Sequence, residues 1–425
     1  MPNQKTEHYS RRHLITGSLI CAVGAFFYCY EFILRIIPGI LQDEIRIALG
    51  NLSATTFSQI AALYYLAYSP MQLPVGILMD RFGPRYLLSL ACLCCSIGSF
   101  LFSDSSLITV GFGRLLVGFG SAFAFVGLLS AAVNWLPTRF FSLVAGMMTT
   151  SSMLGLIYGE IHITHLAYNF GLHRVLVMVA SAGLIITSAI FIIVRESPVK
   201  YSHQSIPYSL FMKQVLQVFH SRYIWIIGVM GACLYSSLSV FGELWGKSFL
   251  EVTFNLNKTQ AAQTISALFL GWALGAPICG YLSDRSGERL RPIILGAIGA
   301  LICISLILYY PSLSYRWLTI LMFGYGAFSS IEIIVFIMGK EYSASEELSG
   351  TIFAVTNMIV SLGGMLLQPL VGALLDWSSP HSYLHFYTAK NYRFGLSILV
   401  ISMVIVIVIA TGLSQCTPSR AKNSQ

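Results

Sequence analysis

The stretch GILMDRFGPR, Gly76 to Arg85, recurs 204 residues later as GYLSDRSGER, Gly280 to Arg289. Both copies read G-x-L-x-D-R-x-G-x-R, and each closes an apolar run with charge and glycine. A repeat at this spacing means that the chain was built twice from one unit of about 200 residues. Other pairs keep nearly the same register. GFGSAF at Gly118 has a looser echo in GYGAFS at Gly324, and MLGLIYGE aligns with SLGGMLLQ so that Glu160 stands opposite Gln368. YEFILR and GELWGK each place an acid and a base four residues apart: Glu31 with Arg35, and Glu243 with Lys247.

Composition says what fills each unit. Of 425 residues, 56% are hydrophobic and 10% charged, with a mean hydropathy of +0.74, far too little polar surface for a soluble protein. A bilayer crossing takes roughly 20 apolar residues. Apolar runs lie at 14–38, 54–78, 85–103, 107–135, 141–168, 172–194, 222–247, 259–283, 291–310, 314–338, 348–375 and 392–413. The expected fold is an all-α membrane protein of twelve transmembrane helices in two pseudo-symmetric six-helix bundles. The N-terminal bundle takes residues 1–195 and the C-terminal bundle 222–425, with a short cytoplasmic tail. Between them, 196–221 is the least apolar interval and reads as a cytoplasmic linker.

Basic residues near span ends set the orientation. With the N-terminus inside, only Arg46, Arg174, Lys258, Arg316, Lys390 and Arg393 fall outside, while Arg35, Arg114 and Lys247 fall within spans. The other sixteen Lys and Arg are cytoplasmic, so both termini are expected inside. The net charge of +8 then reflects this bias and contact with anionic lipid headgroups, and no nucleic-acid partner is expected. SRRHLI at Ser10 has the look of a twin-arginine signal, but the following apolar run is too long and lacks a cleavage site. The nine cysteines read as apolar packers. CLCC has neither the spacing nor the histidine of a zinc site, so no metal or cofactor is expected.

The doubled loop resembles the signature loop of the major facilitator superfamily, and RLLVGFGSA (Arg114 to Ala122) resembles that superfamily's fourth-helix motif. The resemblance spans essentially the whole chain. It implies two bundles around a central substrate site, with alternating access by rocking of one half against the other. YEFILRIIPGI, YYLAYSPMQLPVGILMDRFGPR, GSAFAFVG and GGMLLQPLVGALLD further resemble the bacterial branch that includes intraphagosomal amino-acid transporters. SSMLGLIYGE lacks the Gly-Pro pair of the superfamily's antiporter motif, which weakens a drug-efflux reading.

Charges within spans are costly, about 2.5–3.5 kcal/mol each at mid-helix on insertion scales, and mark function by default. Glu31, Arg35, Glu243 and Lys247 fit two readings: self-neutralised i, i+4 pairs at an outer rim or gate, or cavity groups for proton coupling or amine binding. Arg114 enters only the first half. Resemblance links it to proton transfer or a carboxylate partner, for which Glu31 and Glu160 are the candidates; otherwise it snorkels near a span end. Glu332 is a further proton site or a paired structural charge. His162 and His165 mark the outer end of span five or titrate near neutral pH. Tyr28, Tyr235 and Tyr325 stand out among the span tyrosines as pocket walls, with Tyr64, Tyr65, Tyr68, Tyr158, Gln72, Asn357 and Gln368 also in spans. In the loops, Gly76 is read as permitting close packing and Gly83 a tight turn. Asp80 is placed to accept N–H bonds at a neighbouring helix start, and Arg81 and Arg85 to bridge. Gly280, Asp284, Arg285, Gly287 and Arg289 repeat the set. Together they form either a cytoplasmic gating latch or a helix-loop staple.

The expected function is secondary active transport by alternating access, as proton-coupled symport of a small polar metabolite such as an amino acid across a bacterial inner membrane. An efflux antiporter for a drug or siderophore and a nutrient-sensing transceptor are the alternatives. No Walker A loop, H-E-x-x-H or G-x-S-x-G is present, and the short loops leave no room for a catalytic domain, so an enzyme is not expected. The expected partners are a small-molecule substrate, protons and membrane lipids, with the protein a monomer.

Overall fold

The computed structural model describes residues 11–137, 140–195, 208–310, 312–341, 348–379 and 387–416. The side chains of 11–14, Asp80, 133–134, 141–143, 145, 208–209 and Cys416 lie outside the described residues. Of the expected linker 196–221, residues 196–207 lie outside the described residues, and Tyr208–Phe219 is helical. No strand occurs among the described residues.

The first half contains α1 (Arg11–Ile40), α2 (Gln42–Ala48), α3 (Ala54–Met71), α4 (Val75–Phe82), α5 (Pro84–Leu101), α6 (Leu107–Trp135), α7 (Phe141–Phe170) and α8 (Leu172–Ile193). After α9 (Tyr208–Phe219), the second half contains α10 (Arg222–Ser236), a π-helical stretch Ser237–Trp245, α11 (Gly246–Phe254), α12 (Lys258–Ser286) and α13 (Leu290–Tyr309). It continues with α14 (Tyr315–Ser329), a 3-10 turn Ser330–Glu332, α15 (Ile333–Glu341), α16 (Ser349–Ser378) and α17 (Ala389–Cys416).

Ten continuous helical segments of the described residues are long and apolar enough to cross a membrane. The two that complete twelve are α3–α4 and α7. The first is interrupted at 72–74, where Pro74 offers no N–H to continue the ladder. The second carries Thr149, Thr150, Ser151, Ser152 and Glu160, which lower its hydropathy.

Three expected spans are thus not single α-helices: span two is broken, span seven contains the π stretch, and span ten contains the 3-10 turn. A mid-helix change of winding re-aims the side chains beyond it and frequently marks a functional site.

The packing repeats as the sequence does. In the first half, α5 lies on α6 and α8, α1 on α7, and α3 on α6. In the second, α13 lies on α14 and α17, α10 on α16, and α12 on α14, the same pairs in repeat order. Across the halves, α3 packs on α16, α7 on α12, and α1 on the π stretch. The bundles therefore meet along two outer seams and one central one. The face where α1 begins and α17 ends is called the terminal face below, and the other the opposite face.

Candidate functional site

The central seam holds the buried charges. Glu31 and Arg35 are 1% and 5% exposed, although α1 lies at the boundary between the halves. Arg35 Nη2 donates to both carboxylate oxygens of Glu31 at 3.3 Å. Its Nη1 donates to the hydroxyl of Tyr235 at 2.8 Å and stands 3.9 Å from Oε1 of Glu243, both in the second half. Tyr64 donates to Glu31 at 3.2 Å. Tyr65 donates to Glu243 from the first half, and Tyr235 donates to it from the second at 3.4 Å. The rings of Phe32, Tyr68 and Tyr64 flank the guanidinium at 4.2, 5.1 and 5.2 Å, within cation–π range. One guanidinium thus serves two carboxylates, one from each half.

The first acid–base pair is joined and the second is split. Glu243 faces Arg35, whereas Lys247 Nζ donates to the carbonyl of Ile40 at 2.9 Å and to Thr164 Oγ1 at 2.8 Å. The self-neutralised i, i+4 pair that one of the two readings placed at GELWGK does not form. The π stretch covers Glu243 and ends at Trp245, and its wider turn swings Lys247 away from the face Glu243 occupies. Lys247 caps the carbonyl end of α1 instead, where a cation is favoured. Neither pair lies at an exposed rim; all four groups are buried.

Arg114 corrects a second expectation. It is 3% exposed, so it does not snorkel, and among the described residues no carboxylate pairs with it. Its Nη1 and Nη2 donate to the backbone carbonyls of Leu34 and Ala61 at 3.0 and 3.3 Å, tying α6 to α1 and α3. Glu160 is buried with Oε1 unpartnered, and the charges that face it are Lys247 and Glu251. Glu332 is buried, and no hydrogen bond or ion pair to it is found among the described residues, so it is not the paired structural charge expected as one alternative.

Tyr325 does not join the cluster. It is buried edge-on to Phe241 with its hydroxyl unpartnered. Gln368 binds the carbonyl of Ser239 at 2.6 Å, and Tyr28 packs edge-on to Phe32. His162 and His165 are exposed.

The described contacts of the doubled loops stay within their own halves. Arg85 donates to the carbonyl of Phe191 at 3.1 Å and lies over its ring, and Arg81 lies over Phe82. Arg289 binds Asp284 at 2.7 Å and Glu341 at 2.8 Å, and the latter carboxylate above all holds its guanidinium above the usual range. Asp284 therefore meets an arginine rather than a helix start. Arg285 is exposed, and the side chain of Asp80 lies outside the described residues. Gly83 and Gly287 take φ of +76° and +66° as turn residues. Gly76 and Gly280 do not serve close packing, since a Cβ at either meets nothing within 4 Å.

The helix-start acceptor lies at the other end of the molecule, at a residue the sequence reading passed over. Asp376, at the end of α16, accepts from the amides of Ala54 and Thr55 at 3.1 and 2.9 Å. Tyr387 donates to the same carboxylate, and burial together with that carboxylate pushes its phenol up. Nearby, Lys258 binds Glu44 at 2.5 Å and Ser248 binds Gln42 at 3.0 Å. These bonds join the halves at the opposite face. Nearer the terminal face, the described cross-half hydrogen bond is Asn357 to Gln72 at 2.9 Å.

Two six-helix bundles meeting on buried charges and polar closures form a membrane-transporter scaffold. The family model described as Major Facilitator Superfamily matches residues 19–368, and the chain belongs to that superfamily. It is 21% identical to the membrane sensor protein UhpC of Escherichia coli K12, over 92% of each chain. It is 22% identical to the lysosomal dipeptide transporter MFSD1 of Danio rerio, over 86% of this chain and 82% of that one. Among solved structures, a bacterial homologue of the human lysosomal transporter Spinster, inward-facing and occupied, superposes with a TM-score of 0.77 at 16% identity, covering 95% and 99% of the two chains. The nucleoside transporter NupG gives 0.72 at 12% identity, covering 95% and 100%. At these identities the superpositions establish the fold.

Proposed function

We propose that the protein is a proton-coupled symporter that takes a small zwitterion, an amino acid or short peptide, across a bacterial inner membrane by alternating access. The supporting observation is Arg35 held between Glu31 and Glu243 on opposite halves. A guanidinium offers a fork for a substrate carboxylate. The second carboxylate, surplus to the single charge of Arg35, offers a place for an ammonium group or a proton. Because the cluster joins the two bundles, occupancy at Arg35 is coupled to their relative position. The kinship with a lysosomal dipeptide transporter is consistent with a zwitterionic cargo.

In this reading, bundles 1–195 and 222–425 move as units about linker 196–221. The terminal face is cytoplasmic, and the closed opposite face makes the described state inward-facing. Glu31, Glu160 and Glu332 are the proton-site candidates. The protein acts as a monomer, catalyses no chemistry and needs no cofactor or metal. The test is uptake of radiolabelled dipeptides and amino acids into proteoliposomes with and without an inward proton gradient. Gradient-driven accumulation supports the reading. Gradient-driven expulsion supports an efflux antiporter and overturns it.

A second reading has one observation behind it. UhpC, matched over 92% of both chains, is a membrane sensor protein. A transceptor would bind the same zwitterion at Arg35 without flux, and saturable binding with no uptake in the same vesicles selects it.

A further inference from the structure

On α1, Cys21, Ala25, Tyr28, Phe32, Arg35 and Gly39 follow one another at alternating steps of four and three residues. That spacing puts them on one stripe of the helix. Gly39 shows where the stripe points: a Cβ there would lie 2.2 Å from the carbonyl oxygen of Glu243, in the other half. The stripe therefore faces the seam between the bundles. Toward the opposite face it carries the Arg35 cluster.

Toward the terminal face the same stripe borders a cavity of about 310 Å³. Ser18, Cys21, Ala22 and Ala25 of α1 line it, with Leu128 of α6 and Met148 of α7 among the residues that close it. Among the described residues no lining side chain is charged, and Ser18 is the polar one. The space exists because α1 offers alanines where a larger apolar residue would fill it. Ala25 precedes Arg35 by ten residues, about 15 Å along the helix. Tyr28 and Phe32 stand between them, edge-on at 5.0 Å. A charged cradle that joins the halves and an apolar chamber whose described lining comes from the first half thus lie on one stripe of α1, with Tyr28 and Phe32 between them.

We infer that this chamber is the apolar subsite of the transported solute, which is an amphipathic zwitterion. Its charged end lies at Arg35 with Glu31 and Glu243, and its apolar end reaches toward the terminal face against Ala22, Ala25 and Met148. The inference rests on the Arg35 cluster being the substrate site. It makes apolar bulk, together with length enough to pass Tyr28, the selected property of the cargo. An apolar end seated there leaves water, whereas a polar end would lose hydration with only the Ser18 hydroxyl to replace it among the described lining residues.

The test is direct binding to the full chain in lipid nanodiscs, with empty nanodiscs subtracting membrane partition. The ligands are 2-amino acids with one fixed zwitterionic head and alkyl chains lengthening from 2-aminobutanoic to 2-aminodecanoic acid. Affinity is expected to rise tenfold or more along the series. Ala25→Phe, which fills the chamber, is expected to abolish that rise while leaving the shortest member unchanged. Met148→Ala, which enlarges it, is expected to move the optimum to a longer chain, and this arm stands if Ala25→Phe does not fold. Affinity that is flat with chain length, or variants that weaken short and long members alike, overturns the subsite and leaves the zwitterion reading intact. Failure of every member to bind, together with the dipeptides of the uptake assay, overturns the zwitterion reading and the subsite with it.

Discussion

Asp376, near the end of α16, accepts a hydrogen bond from the amide of Thr55 at 2.9 Å and another from its hydroxyl at 2.5 Å, and Thr55 lies in the first turn of α3 in the other half. A helix start presents unpaired N–H groups and a partial positive charge. Normally the residue just before the helix satisfies one of them, as Ser53 does here for Thr56. Asp376 supplies a second cap from the other bundle. The cap spans the two halves, so under the proposed alternating access it would break when the opposite face opens.

Asp376→Asn is therefore expected to favour opening of that face. A charged cap at a helix start contributes about 1–2 kcal/mol. The closed-to-open ratio should fall by roughly 5–30-fold. Spin-label distances between the end of α2 and the start of α12, next to the Glu44–Lys258 pair, would report it as a longer population. Distances unchanged from the parent protein would show that the latch lies elsewhere, with Glu44–Lys258 as the next pair to remove.

Arg35 carries the second prediction. Removing it leaves Glu31 and Glu243 buried without their shared cation, and breaking a buried pair from one side costs about 3–5 kcal/mol. Arg35→Ala is expected to lower gradient-driven uptake by about 100-fold or more. Arg35→Lys keeps the charge but loses the planar fork, so it should recover binding only in part. Uptake and thermal stability measured together separate the outcomes. Parent-like uptake in Arg35→Lys would mean that charge alone, without the fork, holds the substrate.

The sequence made much of this legible, for a definite reason. Glu31, Arg35, Glu243 and Arg114 stand out because hydropathy makes any charge within a span conspicuous, and the repeat showed that Glu243 answers Glu31. What those charges touch was not legible. Whether Glu243 would meet Lys247 or Arg35 depended on a π turn, and local spacing alone assumes an α-helix. Tyr64 and Tyr65 were visible as YYLAY, yet only packing could show that adjacent residues serve carboxylates from different halves. Asp376 was missed because an acid at a span end looks like ordinary interface. Its function comes from a helix start 321 residues away.

Lys247 and Glu160 give the third prediction. Lys247→Met removes the cation that faces Glu160 across the halves and uncaps the end of α1. It is expected to lower thermal stability, and adding Glu160→Gln should restore part of the loss. Coupling of about 0.5–3 kcal/mol is the range for residues sharing one network. Strict additivity of the two variants would place Lys247 in the capping role alone.

Two glycines give opposite expectations, and the less conspicuous one matters more. Gly76 belongs to the repeated loop, yet a Cβ there meets nothing within 4 Å. Gly76→Ala should leave the fold and the distance distribution unchanged, with a small gain in stability of about 0.5–1 kcal/mol from a better helix former. Gly39 belongs to no repeated motif. A Cβ there would sit 2.2 Å from the carbonyl oxygen of Glu243 and 2.8 Å from its carbonyl carbon. Those are backbone atoms and cannot turn aside as a side chain does, so α1 and the π stretch must separate. Gly39→Ala is thus expected to prevent full closure of the opposite face and to lengthen the Arg35–Glu243 contact, lowering uptake while the bundles stay folded. The same spin-label pair reads both variants. A Gly39→Ala protein with the parent's distances would mean that the central seam yields without opening the face, and that α3 on α16 sets closure by itself.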